Sequence, residues 1–321
     1  MTHRMLIIAA MLIATSASWA QERTVTGSKA SPGREYRLQA MYRAGIAQNY
    51  EVTETTSVVR THSDSSKKTY SRKITYMMTV RCTENMNGFA SLTANIDSLT
   101  YVFTANGDTV AYDSQKDITP KNFADLNNYV GPMNRSLEMK VNTYGEIQSV
   151  TGEQIDWIRT YLSDNASDID SVLSLIWTQS VEDPNLLQYA DLQKRVLPGL
   201  RMAVDSSWKH RMSLRVDGVI YDGQARSVFD SYSGGLYILK TKDTIAAVKP
   251  QRIHVYGVPY ISEVLDGAAA VSHEVDLAST GTINKVESNV TAWFKARAVN
   301  EVFTQHVQSN TTWTLTGQFQ W

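Results

Sequence analysis

The sequence predicts a mainly antiparallel β protein with a central helical segment, and three observations predict it. Apolar and polar residues alternate over long runs, as in Leu137-Glu138-Met139-Lys140-Val141 and Trp208-Lys209-His210-Arg211-Met212-Ser213-Leu214-Arg215-Val216, the period of a half-buried strand. Turn dipeptides sit between such runs: Asn106-Gly107 after Leu99–Phe103 and Asp217-Gly218 before Val219. Both suit the positive φ angles of a tight hairpin. Finally, the alternation lapses after Gly152 and returns only beyond Gly199.

The elements follow in chain order. Residues 1–20 read as a secretory leader. Arg4 supplies the positive charge, Met5–Ala14 an unbroken apolar run, and Ser18-Trp19-Ala20 a small-residue cleavage site before Gln21. The apolar run is too short for a membrane span, which needs about 20 residues. The mature chain is expected to begin at Gln21 and to work outside the cytoplasm, in the periplasm or beyond, in solution or beside the outer membrane. Gln21 is not a cysteine, so no lipoprotein acylation site follows the leader.

Residues 21–151 form an N-terminal β unit. In it Ile74, Tyr76, Met78, Val80 and Cys82 share one face. Thr61 to Lys68 is polar and reads as a long exposed hairpin loop. Residues 152–199 read as two or three helices. Ile155, Ile158 and Leu162 fall on one helical face, and Val172, Leu173, Leu175, Ile176 and Val181 make a second apolar run. Ser167 three residues before Asp170 resembles a capping box, and Asp183-Pro184 suits a third helix start. Residues 200–321 form a C-terminal β unit.

A spacing recurs on either side of the helices. Met139-x-Val141-x-x-x-Gly145-x-Ile147-x-x-Val150 matches Val275-x-Leu277-x-x-x-Gly281-x-Ile283-x-x-Val286. Each reads as strand, glycine turn and return strand, which predicts two similar β units with Gly145 and Gly281 in equivalent turns. Leu197-Pro198, Asp205-x-x-Trp208 opening a strand, and the late hairpin around Gly281 resemble an uncharacterised family of exported, β-rich bacterial proteins. The resemblance implies export and a β-rich fold. It brings no activity and no catalytic residues.

Composition narrows the function classes. With 31 basic and 32 acidic residues the chain is near neutral, so nothing electrostatic invites nucleic acid or an anionic surface as a general partner. Lys67, Lys68, Arg72 and Lys73 are interleaved with Ser and Thr and read as a solvated hairpin. Cys82 is the single cysteine and reads as a small buried hydrophobe. His62, His210, His254, His273 and His306 are scattered and form no metal-ligand spacing. His62 reads as solvated and His210 as a core or rim histidine. The acidic run from Asp164 to Asp170 lacks the glycine and distal glutamate of a calcium loop and reads as helix capping. No nucleophile elbow or phosphate-binding glycine loop occurs. No catalytic residue, cofactor or metal is therefore assigned. A hydrolase would have to assemble Asp222, Asp230, His254 or His273 around a serine in space.

Strand tyrosines such as Tyr76, Tyr101, Tyr221 and Tyr237 read as core packing. The C-terminal run Trp313-Thr-Leu315-Thr-Gly317-Gln-Phe319-Gln-Trp321 could close a β domain or end an outer-membrane barrel; the helical middle favours the first. The expected function is a non-catalytic binding or envelope-associated protein. Its partner is an envelope protein or an apolar ligand held between a curved sheet and the helices. A barrel component and an unrecognised hydrolase are the alternatives.

Overall fold

The computed structural model describes residues 25–26, 34–86, 89–117, 119, 123–133, 135–142, 147–165, 167, 169–182, 186 and 197–321. Alternation dominates, and the strands are long. The N-terminal run supplies β1 (Val25–Thr26), β2 (Tyr36–Arg37), β3 (Ile46–His62), β4 (Lys67–Met86), β5 (Phe89–Ala105) and β6 (Asp108–Asp113). Helix α1 (Ala124–Val130) then precedes β7 (Ser136–Asn142) and β8 (Ile147–Thr151). Helices α2 (Glu153–Asp164) and α3 (Ser171–Val181) follow. The C-terminal run gives β9 (Arg201–Met202), β10 (Ser207–Val216), β11 (Val219–Ser233), β12 (Leu236–Ala247), β13 (Arg252–Ile253), β14 (Ser262–Ala278), β15 (Ile283–Ala298) and β16 (Glu301–Gln320). No helix among the described residues is long and apolar enough to cross a membrane.

The two runs of strands make one sheet. Its order is β1-β10-β11-β12-β14-β15-β16-β3-β4-β5-β7-β8, with β6 beside β5 and β13 beside β14; β2 and β9 pair separately. Each half is a sequential antiparallel meander. The halves meet where β16 pairs with β3, from Phe303↔His62 to Gln320↔Ile46. Along β3, Tyr50, Val52, Val58 and Arg60 are buried while Glu51, Thr55 and Ser57 are exposed. The inward faces of all the long strands join one apolar cluster, to which Ile155, Leu162, Val181 and Leu186 contribute from the helical side. The helices therefore cover the concave face of the sheet.

Several local expectations change. The β3–β4 connection is a tight turn, not a long loop: strand pairing runs to Thr61↔Lys67, His62 N–H donates to the Ser66 carbonyl at 2.9 Å, and Ser65 takes φ +67°. Outward-facing polar residues of two strands account for its composition. Asp170 caps α3 itself, its carboxylate accepting from Val172 and Leu173 N–H, so it is the cap and not the third residue of a box opened by Ser167. Helix α1, seven residues long, is too short to show a periodicity. The proposed third helix start at Asp183-Pro184 lies outside the described residues, as do Ala20, Gln21 and Gly145. At the C-terminus Trp313 is buried and Leu315 packs at the core's edge. The ladder shifts between Leu315 and Gly317, and Phe319 and Trp321 lie exposed beyond it.

The turn residues are well defined. Asn106 and Gly107 have φ +52° and +89°, Asp217 and Gly218 +48° and +88°, and Gly281 +84°. In the two hairpins of matched spacing, Met139 pairs with Val150 and Val141 with Ile147; Val275 pairs with Val286 and Leu277 with Ile283. The registers correspond. The strands differ in length, 7 and 5 residues against 17 and 16. Antiparallel hairpins with equal turn lengths take this register whether or not the halves share an ancestor.

Gly281 does more than turn the chain. A Cβ there would stand 2.6 Å from Met41 Cβ and 2.7 Å from Met41 N, and the Gly281 carbonyl accepts from Met41 N–H at 3.0 Å. Gly107, by contrast, faces open space. Gly281→Ala is expected to cost about 2–3 kcal/mol, combining left-handed strain with displacement of Met41 backbone. Gly107→Ala should cost about 1 kcal/mol, from backbone strain alone. Urea unfolding of the two variants checks this; equal losses would mean that the β14–β15 turn does not pack on Met41.

Candidate functional site

Arg72 shares its face of β4 with Tyr70, Ile74 and Tyr76, so alternation sends its guanidinium into the core. It is 4% exposed. The expectation of a solvated hairpin holds for Lys73 but fails for Arg72. Position parity with the apolar residues was the signal that could have found it. A buried charge must be paired and hydrogen-bonded, and partners arrive from two directions. Asp125, in the first turn of α1, accepts from Arg72 Nη1 at 2.7 Å. Asp217, in the β10–β11 turn, accepts from both terminal nitrogens at 3.3 Å. Glu54 approaches Nη2 at 3.9 Å, and the guanidinium lies 5.2 Å over the Tyr129 ring.

The carboxylates are otherwise filled. Tyr101 OH donates to Asp125 Oδ2 at 2.6 Å. Tyr70 OH donates to Asp217 Oδ2 at 2.7 Å, and Gln305 Nε2 donates to the same oxygen. Gln305 Oε1 accepts from the buried Arg60 at 2.9 Å, and Arg60 Nη2 donates to the Tyr256 carbonyl at 2.7 Å. Burial pushes the Tyr70 and Tyr101 phenols up, and the neighbouring carboxylates push them further. Burial also raises Asp125 against the pull of Arg72. Burial opposes the Arg72 charge, yet Asp125, Tyr129 and Asp217 hold it firmly protonated. Arg60 and Arg72 offset Asp125 and Asp217, with Glu54 at the edge; each aspartate oxygen has a donor, and Arg72 Nε is left without a hydrogen-bond partner among the described residues. The network fastens α1 and a distant turn to the sheet; it presents no free base or nucleophile.

Beside it, between sheet and helices, lies a cavity of about 50 Å³. It is lined by Arg72, Asp125, Asp217, His254 and Arg215 with Ile176 and Gln179 of α3. Burial lowers the His254 imidazole, with Asp125 partly opposing. This space is polar and has room for little more than water.

A second polar feature crosses the concave face in register. Ser227, Thr241, His273, Ser288, Thr311 and Glu54 are successive cross-strand partners over six adjacent strands. His210 joins at one end, bonded through Nε2 to Ser227 Oγ at 2.9 Å. Glu54 meets Arg72 at the other. The next inward row, Phe229, Leu239, Val275, Val286, Trp313 and Val52, is wholly apolar.

The acids considered for a hydrolytic site go elsewhere. Asp222 pairs with Arg211 and Asp230 with Lys240 on the outer face. His62 is not merely solvated: its Nδ1 bonds Glu301 across the β3–β16 pair. Cys82 is buried, and burial raises its thiol. Tyr76, Tyr101, Tyr221 and Tyr237 are all buried. Among the described residues no three His, Cys, Asp or Glu side chains come together as metal ligands.

The helical cover has an unusual outer surface. Trp157 and Tyr161, one turn apart on α2, are 65% and 43% exposed, with rings stacked at 5.5 Å. Leu173 and Trp177, one turn apart on α3, are each 41% exposed. The opposite faces are anchored. Arg159 donates to the Val181 carbonyl at 2.9 Å and the Val150 carbonyl at 3.0 Å, and Arg215 donates to the Gln179 carbonyl and side chain at 3.0 Å. The exposed aromatics thus sit on helices held firmly from beneath.

Arg72→Met should destabilise the protein by about 3–5 kcal/mol at neutral pH, because it leaves two buried carboxylates facing one another. Their native pKa values would then rise, so the folded state binds protons that the unfolded chain releases. The deficit should shrink as pH falls toward about 4. Urea unfolding at both pH values checks this; a small, pH-independent loss contradicts the network.

No curated protein matches the chain. Among solved structures, lipovitellin, described for its lipid–protein interactions, is similar at 11% identity and TM-score 0.42; the match covers 87% of this chain and 26% of that one. This chain thus spans about a quarter of lipovitellin. DynF from the dynemicin biosynthesis pathway of Micromonospora chersina gives 8% identity and TM-score 0.22, over 89% and 86% of the two chains. The β domain of the Bordetella autotransporter BrkA gives 10% and 0.21, over 83% and 99%. TM-scores this low carry no argument about function. The family comparison is decisive: residues 87–285 match the model of a family of unknown function, DUF6263, spanning the hairpins, helices and most of the second meander just described, and the chain belongs to that family.

Proposed function

We propose that the protein is an exported, non-catalytic binding component of the cell envelope that takes an uncharged apolar ligand on the outer face of α2 and α3. The observation that carries this reading is the pair of exposed aromatic ridges, Trp157–Tyr161 and Leu173–Trp177, on a rigidly anchored cover. Exposed large apolar groups gathered on one element mark contact sites, and aromatic rings offer much contact area at small entropic cost. Glu153, Asp156, Asp164 and Asp170 belong to or border the same helices, which disfavours an anionic ligand there. The polar character and size of the described inner cavity favour the outside of the cover over its inside. The leader-like residues 1–20 support export.

The outer face of the sheet argues against the barrel alternative. It carries Glu51, Lys73, Lys209, Glu287, Lys295 and Gln308 exposed, the reverse of the apolar band that lipid-facing strands need.

The test titrates the protein, purified from the envelope and checked by mass for loss of residues 1–20, with the neutral apolar fluorophore Nile red. Wild type should bind with a blue-shifted emission. Trp157→Ala/Trp177→Ala should bind about tenfold more weakly with an unchanged unfolding midpoint, since both side chains are exposed. Equal binding by the variant, or none by wild type, would refute the reading.

A further inference from the structure

One end of the sheet gathers the β3–β4 and β15–β16 turns and the chain from β12 to β14. A groove of about 670 Å³ opens there, lined among others by Pro250, Arg252, Ile261, Glu263, Arg297 and Val299. Arg252 on β13 and Arg297 on β15 are cross-strand partners of the same residue, Glu263 on β14. Both therefore project from the outer face on either side of β14. Each is exposed. Among the described residues neither guanidinium has a hydrogen-bond or ion-pair partner, whereas Arg72, Arg211 and Lys249 are paired. Glu263 offsets one of the two charges.

The rim is apolar where a turn would ordinarily be polar. Val299 begins the two-residue β15–β16 turn, since Ala298 pairs with Glu301. It takes φ +52°, a backbone conformation that Asn or Gly tolerates and a β-branched residue resists. It is 62% exposed, and Tyr260 beside the groove 57%. The strain thus holds an exposed apolar side chain next to two unpaired arginines. Strain of this kind is retained where the surroundings use it. Lys249, Lys295, Lys67 and Lys68 stand at the same end; Asp64, Asp266 and Glu301 oppose them, with Lys249 bound to Asp266 and His62 to Glu301.

We infer that this end of the sheet docks on an anionic phospholipid surface, with Arg252 and Arg297 receiving a headgroup phosphate and Val299 and Tyr260 entering the interfacial layer. Guanidinium forks match phosphate oxygens. Apolar and aromatic tips beside basic residues add the second contribution that durable surface attachment needs. Gln179 of α3 donates to the Arg252 carbonyl at 2.7 Å, but none of the groove's lining residues belongs to α2 or α3, and the site stands whether or not the aromatic ridges bind a ligand.

The test is vesicle flotation of the full mature chain in the Trp157→Ala/Trp177→Ala background, which removes the helical ridges from the readout. Vesicles of phosphatidylcholine are compared with equimolar phosphatidylcholine and phosphatidylglycerol. The protein should float preferentially with the anionic vesicles, and high salt should weaken that preference. Adding Arg252→Ala/Arg297→Ala should lower the partition about thirtyfold, the attraction of two basic groups near such a surface. Val299→Asn should also weaken flotation while raising the unfolding midpoint, because asparagine relaxes the turn. Inorganic phosphate at equal ionic strength should compete no better than chloride. Overturning results are equal flotation with both vesicle types, undiminished flotation of the arginine variant, or specific displacement by phosphate, which would make the groove a site for a free anion.

Discussion

Five strands lie between the β10–β11 hairpin and strand β4 in sheet order, yet Asp217 in that hairpin's turn bonds Arg72 and Tyr70 on β4. A sheet can bring such remote members together only by curving strongly. Twist supplies the tendency to curve, and the buried charge at Arg72 fixes where it ends. The guanidinium cannot be left unpaired in the core, and the two carboxylates that neutralise it come from the far side of the sheet and from α1. The interior therefore closes on one ionic knot, with Gln305 and Arg60 extending it to the β16–β3 seam where the chain's two halves join.

Much of this architecture is legible in the sequence because it is local. Alternation marks the strands, Asn106-Gly107 and Asp217-Gly218 mark turns, and the lapse of alternation after Gly152 marks the helical cover. What is not legible is what the pairing of distant strands creates. Asp217 reads only as a turn residue, because nothing near it in sequence reveals the partner on β4. Arg72 reads as solvated if its neighbours are counted by composition, and as buried if they are counted by parity. The polar row from Ser227 to Glu54 is invisible for the same reason: each member is an isolated polar residue on an apolar face until five strand pairings bring them into line. Helix α1 is invisible because seven residues carry too little period.

The consequence for function is a division of labour between inside and outside. The concave face is occupied by core side chains, a charge-paired ionic network and a transverse polar row, and the cavity beside that network is small and polar. The groups that lack a structural reason to be where they are lie on the outer surface: two aromatic ridges on the helical cover, and two arginines without a partner among the described residues beside a strained valine at one end of the sheet. Packing alone would have placed polar residues at Trp157, Tyr161, Leu173, Trp177 and Val299, all exposed. The proposed binding role rests on this organisation: a scaffold tied from within, with contact groups outside.

The central claim is that Arg72 and Asp217 are directly coupled across the curved sheet. A double-mutant cycle measures it: the unfolding free energies of wild type, Arg72→Met, Asp217→Asn and the double variant. Direct contact predicts a coupling energy of about 2 kcal/mol or more, with the double variant far less destabilised than the sum of the single changes. A coupling within about 0.5 kcal/mol of zero, the value for independent sites, would contradict the account and with it the curvature on which the rest of the structure depends.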